Sequence, residues 1–405
     1  MKYIVVLGDG MADWPIGQFG GRTVLQAARK PYMDMLARRG CTGMLKTVPD
    51  GFVPGSEVAN MGVLGYDVTR AFEGRGVLEA ANIGVDIRPG QMGMRCNIIC
   101  IENDRIKNHS AGHISTEEAS QLIDALENEL GTDGIHFHCG IQYRHLLTID
   151  GGDKRLTCTP PHDVPGQPWR PLLVKADVPE AEPTAELLNR LIVNSQEVLS
   201  GHPVNRRRIA EGKDPANSIW PWSPGYRPKM QTLSEMFPFI KGSSVISAVD
   251  LIKGIGHYAG MSVIDVEGAT GLSDTNYENK AKAAIEALRT DDFVYVHVEA
   301  PDEAGHEGNA ELKLKTVEDL DRRLIGPIFE EVGKWSEPVC IAVLPDHPTP
   351  CAHRTHTSDP IPFLIYRPGM EPDSTDRFDE DTCKSGGYGY VDKVTDFMKL
   401  FLDRK

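Results

Sequence analysis

The sequence predicts an α/β protein: a mostly parallel sheet sandwiched by helices and interrupted by an inserted α+β domain. Three observations predict it. Short apolar, β-rich runs alternate with helical patterns at both ends of the chain, over residues 3–7, 24–39, 276–289, 293–298, 309–334, 339–344 and 361–366. That alternation belongs to strands buried on both faces by crossover helices. The middle of the chain breaks it, with a proline-rich stretch at 159–183 and the run Trp220-Pro-Trp-Ser-Pro-Gly. Finally, 405 residues exceed what one ordinary core organises, so two domains are expected. The expected boundaries are 1–78 with 241–405 for the sheet domain, and 79–240 for the insertion.

Taken in order, residues 3–7 read as a buried strand cut off by Gly8-Asp9-Gly10. Residues 24–39 carry a helical pattern that Pro31 breaks or restarts. Residues 49–66 are a loop giving way to a short helix that begins near Glu57. In the middle, 95–101 and 145–149 read as strands, and Ser115-x-x-Glu118 as a capping box. His136 and His138 flank Phe137 on one strand face, which is ordinary strand placement. Farther on, Ser273 or Asp274 caps a helix over 276–289, and 309–334 reads as one long helix. Lys384-Ser-Gly-Gly-Tyr-Gly-Tyr390 reads as a tight loop or connector.

The net charge of −15 argues against nucleic acid or an anionic membrane as a partner, since either needs a basic surface. It leaves room for a small phosphorylated substrate, because bound metal ions and local arginines outweigh a global field. The eight cysteines are scattered without a C-x-x-C pair and read as reduced thiols of a cytoplasmic protein. No run is long enough for a membrane span.

In an open parallel sheet, functional side chains gather past the carboxyl ends of the strands. Three expected strands end in potential metal ligands. The first ends in Asp9, the second runs into Asp302 and His306, and the third into Asp346 and His347, with His356 soon after. Carboxylates and imidazoles without a thiolate suit Mn²⁺, Zn²⁺ or Mg²⁺. Ser56, after Pro54-Gly55, lies outside any G-x-S-x-G elbow, which argues against an α/β-hydrolase triad. A metal-bound serine works differently. Coordination lowers its hydroxyl pKa, and two metals about 3.5–4 Å apart stabilise the attacking and leaving oxygens at phosphorus. A following helix N-terminus adds N–H groups for phosphoryl oxygens. Gly8-Asp9-Gly10 is not a dinucleotide fingerprint, because Asp13 stands at the third glycine position, and no P-loop occurs.

Gly8-Asp9-Gly10-Met11, Gly55-Ser56-Glu-Val-Ala-Asn60-Met61, Ala300-Pro-Asp302-Glu-Ala-Gly-His306-Glu-Gly308 and Asp346-His347…His356-Thr357 resemble the alkaline phosphatase superfamily. More closely, they resemble the archaeal-type cofactor-independent phosphoglycerate mutase family. The resemblance spans essentially the whole chain and implies an alkaline-phosphatase-like catalytic domain with an inserted substrate-binding or lid domain. It implies two divalent metal ions, one held by Asp302, His306 and His356, the other by Asp9, Asp346, His347 and Ser56 Oγ. It further implies that Ser56 takes the phosphoryl group from one substrate hydroxyl and returns it to another, interconverting 3- and 2-phosphoglycerate. On the substrate side the resemblance points to Lys253, Arg144 and Arg208, while His162-Asp163 reads as a turn or a cleft residue. One departure stands out. The family's arginine-flanked Ala-Gly-Arg motif is replaced here by Ser110-Ala-Gly-His113, an imidazole for a bidentate anion clamp. With the Gly-Asp-Gly-Met-Ala-Asp-Trp-Pro start, it is similar to a bacterial branch proposed to act as homoserine kinases, with His113 near the acceptor.

Overall fold

Fifteen strands organise the protein in a computed structural model that describes residues 1–403. The first two are β1 (Lys2–Gly8) and β2 (Cys41–Leu45). Then come β3 (Gln91–Glu102), β4 (Arg105–Asn108), β5 (Ile135–Ile141), β6 (Arg144–Asp150), β7 (Leu156–Thr157), β8 (Lys175–Ala176) and β9 (Ser218–Gly225). The last six are β10 (Ser243–Ile246), β11 (Ser262–Ile264), β12 (Phe293–Val298), β13 (Val339–Leu344), β14 (Ile361–Tyr366) and β15 (Gly389–Val391). The chain divides into two units, Met1–Phe72 with Met230–Lys405, and Glu73–Lys229. The divisions fall after residues 72 and 229, somewhat earlier than the sequence suggests at both ends.

The first unit holds the eight-stranded sheet, in the order β11-β10-β12-β1-β13-β14-β2-β15. Every pairing from β11 through β13 is parallel, as is β2 with β15. Only β14 runs against its neighbours. Strand β1 is buried throughout, and apolar beyond Lys2, because both its faces are covered. Ile4, Val6, Val294, Val296 and Val343 pack against Ala284 and Leu288 of the helix Tyr277–Thr290, and against Val317, Leu320 and Leu324. On the other face Tyr3 and Phe293 meet Phe401 of the helix Asp396–Leu402, edge-on, at centroid distances of 5.6 and 6.4 Å. The register fixes the site. Gly8 pairs with Val298 and Leu7 with Leu344, so β1, β12 and β13 end side by side.

Three local expectations change. The long helix over 309–334 is interrupted by a π-helical stretch, Leu320–Ile325, between Ala310–Asp319 and Gly326–Val332. Pro327 has no N–H to continue the α ladder. In the altered register, Asp321 accepts the N–H groups of Tyr32 and Met33, at 3.2 and 2.7 Å. It thereby caps the helix Pro31–Arg39, whose restart at Pro31 is as expected. The helix Tyr277–Thr290 is capped by Asn276, not by Ser273 or Asp274. The Asp274 carboxylate is already occupied by the Thr270 hydroxyl, 2.6 Å away. Lys384–Tyr390 ends in β15, an edge strand beside β2, rather than remaining a simple loop.

The second unit is α+β. Its sheet, β4-β3-β6-β5 with β9 on the other side of β3, is antiparallel throughout. The Trp220-Pro-Trp-Ser-Pro run is strand β9, with Pro221 opposite Cys96. An edge strand tolerates a residue with no N–H where a central one does not. The Ser115 cap is half a capping box. Its hydroxyl accepts the Glu118 N–H at 3.2 Å, but the Glu118 carboxylate turns to Arg208 and Arg207 instead. All eight cysteines are free. Among the described residues no helix is long and apolar enough to cross a membrane.

Candidate active site

Because β1, β12 and β13 end in register, the residues just beyond them meet in one row at the carboxyl edge of the sheet. Asp9 follows β1, Asp302 lies in the first turn of the helix Ala300–Glu307 after β12, and Asp346 and His347 follow β13. Gly10 makes the crowding possible. It has φ +60°, and a Cβ there would stand 2.4 Å from Asp302 Oδ1 and 2.6 Å from Thr349 Oγ1. Only glycine meets both demands.

Ser56 opens the helix Ser56–Val63, with Gly55 at its N-cap. Its Oγ lies 3.3 Å from Asp9 Oδ2 and 3.3 Å from His347 Nε2. Four residues on, Asn60 ties the row together. Its amide donates to Ser56 O at 2.8 Å and Asp346 Oδ2 at 3.0 Å, and its oxygen accepts the Tyr295 hydroxyl at 2.6 Å. The other Asp346 oxygen accepts the N–H groups of Gly10 and His347, at 3.1 and 2.8 Å.

The histidines reveal what the row is built to hold. His306 Nδ1 stands 3.0 Å from the Arg354 carbonyl oxygen and His356 Nδ1 stands 3.3 Å from that of Pro54. A carbonyl only accepts, so each Nδ1 carries a proton and Nε2 is the nitrogen aimed into the site, where it can exchange a proton for a cation. Those two Nε2 atoms are 3.0 Å apart, and Asp302 Oδ2 is 3.1 Å from His306 Nε2. His347 follows the same plan. Its Nδ1 faces Thr349 Oγ1 at 3.4 Å, and the Thr349 hydroxyl is spent on Asp302 Oδ1. Its Nε2 therefore points bare toward Ser56, Asp346 Oδ2 (3.4 Å) and Asp9 Oδ1 (3.7 Å). Asp9 Oδ1 itself is buried without a hydrogen-bond partner. Converging imidazole nitrogens and an orphaned carboxylate oxygen are what a cation satisfies, and the all O/N donor set suits a hard to borderline divalent ion.

The electrostatics agree. Burial, then the neighbouring Asp346 and Asp302 carboxylates, raises Asp9 well above the usual carboxylate range. Burial also pushes on Asp302, but hydrogen bonds from His306 and His356 outweigh it and hold that carboxyl well below its ordinary value. The hydrogen bond to Asp302 raises His306 to about 9, a proton standing where a cation would. Burial lowers His347.

All seven sequence-predicted ligands thus converge, although their grouping differs in detail. Donor atoms of Asp302, His347 and His356 lie within 4.8 Å of one another, as do those of Asp9, His297 and Asp346. His347 stands at the junction of the two groups.

A family model described as 2,3-bisphosphoglycerate-independent phosphoglycerate mutase matches residues 37–205. A protein of that name from Methanosarcina acetivorans is 52% identical over 99% of this chain and 100% of its own length. The chain belongs to the 2,3-bisphosphoglycerate-independent phosphoglycerate mutase family. Another member, from Geobacter sulfurreducens and named a probable mutase of this type, is 47% identical over 100% of both chains. Among solved structures, the PH0037 protein of Pyrococcus horikoshii superposes with a TM-score of 0.83 at 32% identity, covering 99% of this chain and 96% of that one. The cofactor-independent phosphoglycerate mutase of Thermoplasma acidophilum gives 0.72 at 27% identity, over 100% and 99%.

The mutase-family substrate candidates divide. Lys253, in the first unit, is paired with Asp265 at 2.6 Å. In the second unit Arg144 is exposed beside the Tyr143 ring (5.7 Å), which meets His109 (5.6 Å), which in turn meets His162 (6.1 Å). Burial, then the nearby His162 and His113, lowers the His109 pKa. His113 is exposed, in a run of three left-handed residues with φ of 49° at Ala111, 66° at Gly112 and 54° at His113. Arg208 does not join them. It is buried, and its guanidinium is spent on Glu118, the Ala111 carbonyl (2.7 Å) and the Asp214 carbonyl (2.9 Å). Arg208 braces the loop that carries His113 through the Ala111 carbonyl.

Sequence reasoning missed Asn60, Thr349, Tyr295 and His297. The last two carried a readable signal. Polar side chains at alternate positions of the otherwise apolar run Phe-Val-Tyr-Val-His-Val share one buried strand face and need partners there.

Proposed function

We propose that this chain interconverts 3-phosphoglycerate and 2-phosphoglycerate by metal-dependent phosphoryl transfer through a phosphoserine on Ser56. The observation that carries the reading is Ser56 Oγ at a helix N-terminus, 3.3 Å from both Asp9 Oδ2 and His347 Nε2, beside a row of cation-seeking donors. Relatives that match over their full length and are named as mutases of this type support the substrate assignment.

Asp302, His306 and His356 would hold one divalent ion (Mn²⁺, Zn²⁺ or Mg²⁺), and Asp9, Asp346, His347 and Ser56 Oγ the other. Such ions supply Lewis-acid polarisation of the phosphoryl oxygens and a lowered serine pKa. The protein's own groups do the rest. The Ser56 hydroxyl proton has two acceptors in reach, Asp9 Oδ2 and His347 Nε2. N–H groups of the first helical turn would receive the phosphoryl oxygens. In the first half-reaction the bond from phosphorus to the substrate oxygen breaks as the bond to Ser56 Oγ forms, and that substrate oxygen takes a proton. The second half-reaction reverses this at the other hydroxyl. The second unit is the substrate-binding and lid unit in this reading, with Arg144 and His113 on the acceptor side, and the enzyme works in the cytoplasm on a small phosphorylated metabolite.

The test is an enolase-coupled assay of purified protein with Mn²⁺ and 3-phosphoglycerate, run beside ATP plus homoserine. Turnover of 3-phosphoglycerate is expected, and turnover only of homoserine overturns the mutase reading. Ser56→Ala is expected to lower turnover by at least roughly 10⁴-fold, the scale of removing a covalent nucleophile.

A further inference from the structure

His297 lies in the same row as the ligand histidines but is wired the opposite way round. It is fully buried near the end of β12, beside Ser247, since Ile246 of β10 pairs with Val296. Ser247 Oγ accepts the Val249 N–H at 3.0 Å and stands 3.2 Å from His297 Nδ1. Ser247 is itself buried, and among the described residues His297 Nδ1 is the acceptor its hydroxyl proton can reach. The ring therefore accepts at Nδ1 and carries its proton at Nε2, which lies 3.0 Å from Asp9 Oδ2. In His306, His347 and His356 it is Nδ1 that donates away from the site, which leaves Nε2 free to give its lone pair to a cation. In His297 the lone pair faces away and an N–H faces the site.

From this contrast we infer that His297 is not a metal ligand but a positioning residue. With Ser247 it fixes Asp9 by engaging Oδ2, so that the partnerless Oδ1 is the oxygen turned toward a cation. A directed chain runs from Val249 N–H through the Ser247 hydroxyl and the His297 imidazole to Asp9. Hydrogen-bonded partners behind a metal ligand set its orientation, and their removal typically weakens metal binding by about 10–100-fold. This inference rests on the reading of the row as a metal site.

The experiment is calorimetric titration of Mn²⁺ into the metal-free full chain, for wild type, His297→Leu, His297→Gln and Ser247→Ala. Leucine fills the volume without a donor, whereas glutamine keeps an N–H at the distance of Nε2. His297→Leu is expected to bind as many Mn²⁺ ions as wild type, at least one of them about 10–100-fold more weakly. His297→Gln should regain most of that affinity. Ser247→Ala, which keeps the ring but frees its tautomer, should show a smaller loss in the same direction, and it carries the test if His297→Leu does not fold. Loss of one whole ion from both the Leu and the Gln variants overturns the inference by making His297 a ligand. Unchanged affinity in His297→Leu, or in Ser247→Ala where the former does not fold, overturns it as well. Failure of the wild type to bind Mn²⁺ at all overturns the metal-site reading itself.

Discussion

This molecule holds two kinds of buried charge. In the second unit Arg208 is buried, and each nitrogen of its guanidinium donates to a carboxylate or a carbonyl. In the first unit Lys313 is equally buried, and its three donors reach Ala12 O, Asp13 Oδ2 and Thr349 O at 2.8–3.0 Å. A few residues away, Asp9, Asp302 and Asp346 crowd together just as deeply, and Asp9 keeps an oxygen with no partner. Burial of a charge is tolerated when its hydrogen bonds are complete. Where they are complete, the charge is architecture. Where they are left open, the protein is waiting for something else to complete them.

The largest break in that comparison is Asp9→Asn. If the open row serves chemistry, turnover on 3-phosphoglycerate falls by at least roughly 100-fold, since even outer partners of a metal ligand cost about 10–100-fold. Metal-free protein should melt higher by about 2–4 °C for each kcal/mol of relieved carboxylate crowding, measured by calorimetry in chelator. A lower metal-free melting point would place Asp9 among the satisfied charges. Lys313→Met is the opposite case. It strands Asp13 and should cost about 3–5 kcal/mol of unfolding free energy in urea, while the folded fraction keeps its activity.

A third expectation concerns His145 in β6. Its Nδ1 accepts the Gly140 N–H at 3.1 Å, and its Nε2 is buried without a partner. Burial pushes its pKa down to about 3. The folded form thus binds a proton less readily than the unfolded chain, so the stabilisation is complete above about pH 6.5 and is lost as pH falls toward 3. Urea titrations at several pH values should show His145→Met with a shallower acid loss, by up to about 1.4 kcal/mol per pH unit. The smallest effect belongs to Tyr295→Phe, which leaves Asn60 Oδ1 without its donor. About 1–2 kcal/mol of stability should be lost, and turnover should drop by less than roughly tenfold, the 1.4 kcal/mol equivalent.

What was legible in the sequence follows the same division. Strands β12, β13 and β14 are apolar runs bounded by turn residues, and their limits read directly. Asp9, Asp302 and Asp346 could be found because strand ends in a parallel sheet announce where side chains gather. Arg208 could not be placed, because its burial depends on Glu118, ninety positions earlier and itself expected to turn back on Ser115. The cap of the helix Tyr277–Thr290 was misplaced because Thr270 competes for Asp274. The interruption at Leu320–Ile325 depends on Asp321 reaching the start of a helix nearly three hundred residues away, a contact no local pattern announces. The role of His297 is not legible although its strand is. Periodicity says which face a residue takes but not what waits there.

The co-terminating strands also say when the enzyme can begin to work. β1 is made first, yet both of its neighbours, β12 and β13, are made near the end. At about 5–20 residues per second, the stretch from Ser56 to Asp302 leaves the ribosome roughly 12–50 s after the serine. Until then the nascent chain carries its nucleophile beside an apolar strand with both edges bare. Such an edge invites chaperones and misplaced pairing. The delay also means that a truncated product holds a serine without the row that would activate it.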